Sequence, residues 1–96
     1  MELRLVHRVR LDAGGDPRAL GGAVTVALCG MWEHDGDCRW PHHTDTVPRG
    51  GALAVDVRVS CPAPDELEVR RLVTAALAAG ELTGPDGRRT TWELVR

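Results

Sequence analysis

Residues 52–79 read ALAVDVRVSCPAPDELEVRRLVTAALAA, and the spacing of the apolar residues changes halfway along. From Ala52 to Cys61, Leu53, Val55, Val57, Val59 and Cys61 alternate with Ala54, Asp56, Arg58 and Ser60. Period two with β-branched residues predicts a strand with one buried face. From Pro64 to Ala79 the apolar set becomes Val69, Leu72, Val73, Ala76 and Leu77. That is the i, i+3, i+4, i+7, i+8 stripe of an amphipathic helix. Pro64 suits the first helical position, Asp65 and Glu66 sit where the helix dipole favours negative charge, and Gly80 suits the C-terminal cap. A strand running directly into a helix sets the class as α+β.

The same reading extends outward. Glu2–Leu11 alternates over ten residues: Leu3, Leu5, His7, Val9 and Leu11 share one face, and Arg4, Val6, Arg8 and Arg10 share the other. Asp12–Gly22 is rich in glycine and reads as a loop with a short helical turn at Pro17–Leu20. Ala23–Trp32 opens with Val24, Thr25 and Val26 and reads as a strand, with Asp35-Gly36 as a hairpin turn behind it. Trp40–Gly51 carries no clear pattern. Gly84–Gly87 is a turn, and Arg89–Val95 is a last strand holding Trp92. The expectation is one domain, residues 1–96. It is an α+β chain with a four- to five-stranded, mainly antiparallel sheet and one helix, about 64–79, packed on one face. The opposite face is left to solvent or to a second subunit.

Composition narrows the function classes. The chain has three Trp and no Phe or Tyr, so its core is aliphatic. The net charge is −2, a poor match for the basic field that nucleic-acid binding needs. Arg4, Arg8 and Arg10 line one face of the first strand but lack aromatic neighbours there for base stacking. No segment approaches a membrane span in length, and no leader pattern opens the chain. A cytoplasmic location is expected, with the three cysteines as thiols or metal ligands rather than disulfides.

The chemistry concentrates in residues 29–43, which hold two of three Cys, three of four His and two of three Trp. Cys29, His34, Cys38 and His42 follow the spacing Cys-x4-His-x3-Cys-x3-His. Two thiolates and two imidazoles are a donor set that zinc accepts. A regular hairpin at Asp35-Gly36 would set Cys29 opposite His42 but leave Cys38 roughly 13 Å away on the same face. Four-ligand binding therefore requires an irregular loop; a smaller set would pair Cys29 and His42 with His7 or His43. Cys61-Pro62 reads as the end of a strand.

The leading expectation is a zinc-binding protein in which Cys29, His34, Cys38 and His42 hold the metal, while Trp32, Trp40, His43 and His7 meet a partner or small ligand. The alternative is a small enzyme using the same cluster as a thiol or imidazole pocket for an apolar or aromatic substrate. The third is a plain interaction module that dimerises through the uncovered sheet face.

Overall fold

The computed structural model describes residues 1–30 and 39–95. The elements run β1 (Glu2–Leu11), α1 (Arg18–Cys29), β2 (His42–Arg49), β3 (Ala52–Ser60), a 3-10 turn (Ala63–Asp65), α2 (Glu66–Ala78), β4 (Glu81–Thr83) and β5 (Arg89–Val95). The five strands form one sheet in the order β2-β3-β1-β5-β4, and every neighbouring pair is antiparallel. Helix α1 joins β1 to β2, which run parallel on either side of β3; α2 leads from β3 through the short edge strand β4 to β5, and β3 and β5 run parallel on either side of β1. This is a pair of interleaved split β-α-β units. Both helices lie on one face of the sheet and touch each other there.

The α+β class and the antiparallel sheet agree with the sequence reading, as do β1, β3, α2 and β5. One element differs in kind. The strand expected over Ala23–Trp32 is helix as far as Cys29, and the helical turn expected at Pro17–Leu20 is the start of that helix, α1. Leu20, Ala23, Val24 and Leu28 are its buried residues, at i, i+3, i+4 and i+8. That is a helical stripe. Gly30, at φ 84°, ends the helix by donating its N–H to the Val26 carbonyl. The hairpin expected at Asp35-Gly36 lies outside the described residues.

Strand β2 falls where no pattern was expected. It occupies a sheet edge, and its inner face is His42, Thr44, Thr46 and Pro48. An edge strand can be polar and can carry proline. Gly50 and Gly51 join it to β3 with positive φ at both positions, as a type I′ two-residue hairpin turn requires.

The core lies between the sheet and the two helices. Val9, Val55, Val57 and Val59 meet Leu20, Val24, Val69, Val73 and Leu77, all fully buried. Burying each of these side chains stabilises the fold by about 1.5–3 kcal/mol before entropy is counted. Trp92 closes the β5 end, donating its indole N–H to the Leu77 carbonyl at 2.8 Å. Gly80 fits there because a Cβ would lie 2.9 Å from the Trp92 carbonyl oxygen.

Candidate functional site

Two of the residues proposed as metal ligands meet, by a route different from the expected one. Cys29 is the last residue of α1 and His42 the first of β2. Helix packs on strand, and the Cys29 sulfur lies 3.9 Å from His42 Nδ1. The imidazole is otherwise occupied. Its Nδ1 is 3.0 Å from the Trp40 carbonyl oxygen, which only accepts, so Nδ1 carries the proton. Nε2 is then the acceptor for the Thr25 hydroxyl at 3.0 Å. Nε2 fastens β2 to α1, Nδ1 ties the ring back to the chain entering β2, and neither offers a lone pair to a metal.

The zinc reading is therefore corrected. Among the described residues no group of three or more His, Cys, Asp or Glu side chains is placed to hold a metal ion. His7 does not join His42: it is level with Val55 and Thr46, two rows away across two strands. Strand spacing makes that roughly 16 Å. His43 points to the opposite face of β2, where it pairs with Asp45 at 3.0 Å. His34 and Cys38, the other two expected ligands, lie outside the described residues, as does Trp32.

Trp40 is a core residue rather than one presented to a ligand, at 3% exposure. Its indole N–H donates to Asp65 at 3.0 Å. The Arg39 guanidinium lies over its ring, 4.2 Å from the centroid, and 3.7 Å from Asp65. This unit clamps the approach to β2 against the turn that starts α2. His7 sits half-buried on the helix-covered face of β1, and burial pushes its pKa below the ordinary histidine value. Desolvation disfavours the imidazolium form.

Leu67, on α2, is the most exposed large apolar side chain among the described residues, and two more, Val6 and Val47, lie on the other side of the sheet. No described helix covers that face. Val6 is 53% exposed and Val47 45% exposed. Val47, Ala54, Arg8 and Val95 form one row across β2, β3, β1 and β5. Asp45, Asp56 and Val6 form the row on one side of it. Arg49 and Ala52 lie on the other side, together with the cross-strand pair Arg10 and Glu93. Arg4 grips Asp56 through two bonds, at 2.8 and 3.2 Å, and the guanidinium holds that carboxyl below the usual range. Among the described residues Arg8, Arg10, Arg49 and Arg58 enter no ion pair.

The β1 and β3 parts of this face follow from period-two alternation. Its β2 column was missed, because His43, Asp45, Val47 and Arg49 alternate with His42, Thr44, Thr46 and Pro48 and not with aliphatic residues.

Comparison with family models, curated proteins and solved structures finds no match for this chain. No described helix is long and apolar enough to cross a membrane.

Proposed function

We propose that the chain is an interaction module that pairs with a second copy of itself through the open sheet face. The observation that carries this reading is the row Val47–Ala54–Val95. It is apolar at three of four positions, Val47 exposed, Val95 half-buried and Ala54 buried between its neighbours, with exposed Val6 beside it, on a face that no described helix covers. Exposed apolar groups gathered on one surface mark an interaction site more often than scattered ones do.

The charges favour a second copy over an acidic or basic partner. Arg4, Arg8, Arg10, Arg49, Arg58 and Arg89 share the face with Glu2, Asp45, Asp56, Glu81 and Glu93. Six positive and five negative groups give almost no net field to attract an oppositely charged partner. Their arrangement is self-complementary. A two-fold axis laid along the apolar row would set the Asp45–Asp56 side of one protomer over the Arg49–Arg10 side of the other. A two-fold contact requires that one patch fit itself. Arg8 would add its aliphatic stem to the row and turn its charge outward. The molecule's outline of 38 × 29 Å leaves room for about 800 Å² of contact per protomer.

Sedimentation equilibrium tests the reading. The wild-type chain is expected to show twice its 10.4 kDa mass. Val47→Glu should return it to 10.4 kDa with the circular dichroism of the folded chain retained, because the side chain is exposed in the single chain. A wild-type monomer throughout the micromolar range would overturn the proposal.

A further inference from the structure

Where α1 begins, it leaves a cleft of about 370 Å³ against the β4–β5 hairpin. Ala19, Leu82 and Pro85 supply apolar lining, and Thr90, at 3% exposure, sits at the base beside Leu82, its partner in the strand register. The mouth carries Asp16 and Arg18 from the start of α1, and Asp86 and Arg88 from the hairpin turn.

The two charged pairs differ. Arg18 and Asp16 close on each other through two bonds, at 2.9 and 3.1 Å, and so neutralise each other. Asp86 and Arg88 enter no ion pair among the described residues. One Asp86 oxygen accepts the Arg88 backbone N–H at 2.9 Å, and the Arg88 guanidinium donates to the Gly14 carbonyl. That leaves one carboxylate oxygen and several guanidinium N–H groups uncommitted at the same opening.

We propose that this cleft binds a free α-amino acid with an aliphatic side chain. The side chain would lie on Leu82, Ala19 and Pro85. The ligand carboxylate would take the spare donors of Arg88, whose planar fork matches a carboxylate. The ammonium would take Asp86. A mouth with two cations and two anions has no net charge to hold a multiply charged anion, whereas a zwitterion matches it. The volume lies at the small end of the range for ligand sites. The cleft is built from α1 and the β4–β5 hairpin rather than from the open sheet face, so it is independent of self-association.

The test is a titration of the isotope-labelled chain with L-leucine, followed by amide NMR. The expected result is saturable shifts at Ala19, Leu82, Arg88 and Thr90, with dissociation in the millimolar range. Asp86→Asn and Arg88→Gln should each weaken binding by about tenfold or more. Their amide spectra should remain those of the folded chain away from the cleft. N-acetylleucine amide, which has neither charge, should bind no more tightly than the variants bind leucine. The absence of saturable shifts, or equal binding of the uncharged analogue, would overturn the proposal. So would unaltered affinity in both variants.

Discussion

Trp40→Phe separates a buried clamp from a residue presented to a ligand. The indole is 3% exposed and donates to Asp65 at 3.0 Å. A hydrogen bond to a charged acceptor contributes about 1.5–3 kcal/mol when dry. The Asp65 side chain is 24% exposed, so solvent screens part of this and about 1–2 kcal/mol remains. Phenyl is smaller than indole, and the lost packing adds about 1 kcal/mol. Arg39 also loses the ring on which its guanidinium rests. The total is about 2–3 kcal/mol. For a domain of this size the urea dependence is about 1 kcal/mol/M, so the midpoint should fall by about 2–3 M. Far-UV circular dichroism should report the transition, because the substitution alters the tryptophan signal. Asp65→Asn, alone and combined with Trp40→Phe, completes a cycle with an expected coupling of about 1 kcal/mol. A Trp40→Phe cost below about 0.5 kcal/mol with no coupling to Asp65 would refute the clamp.

Other predictions follow the same physical arguments. Gly80→Ala should cost about 1–3 kcal/mol in urea unfolding, because φ is +74° and the new Cβ would press on the Trp92 carbonyl. Gly21→Ala should instead be neutral or stabilising by about 0.5–1 kcal/mol, since it is helical and its Cβ would rest 3.7 Å from Thr44. His7 has a folded pKa below its unfolded value, so the unfolded chain takes up the proton first. Its contribution is whole above about pH 6.5 and falls away as pH drops below that; His7→Val should flatten the decline in urea stability between neutral pH and about pH 5. Asp16 and Asp56 are lowered carboxyls, and their contribution is lost only in the more acidic carboxylate range. Nitrogen NMR of His42 in the neutral form should show the proton on Nδ1; a proton on Nε2 would contradict the Thr25–His42–Trp40 arrangement.

The sequence carried the fold wherever one face of an element is apolar and the other charged. Leu53–Cys61 and Val69–Leu77 are such cases, and period alone reads them. It misled at α1. Val24, Thr25 and Val26 are β-branched, and Gly21 and Gly22 weaken a helix, so propensity pointed to a loop and a strand. The stripe Leu20, Ala23, Val24, Leu28 was present but short, and packing against α2 and the sheet outweighs propensity there. It was silent at β2, where His42, Thr44 and Thr46 face inward in place of aliphatic residues.

The site divided in the same way. Cys29 and His42 were expected to meet and do, but through helix-on-strand packing that no residue spacing encodes. Metal-ligand counting could not reveal that both nitrogens of His42 are committed to Thr25 and Trp40. Nor could it show that Trp40 turns inward to Asp65. The open face was legible in β1 and β3, and its acid-to-arginine ordering emerged only with the β2–β3 register.

That ordering can be tested by mixing two variants. Asp45→Arg leaves two arginines flanking the Val47 row at the β2 edge, and Arg49→Asp leaves two aspartates. Each variant alone should sediment as a 10.4 kDa monomer, because like charges would then meet across the two-fold axis. Mixed in equal amounts, they should recover a species of twice that mass. Two variants that dimerise alone as the wild type does, or that stay monomeric when mixed, would contradict pairing through the open sheet face.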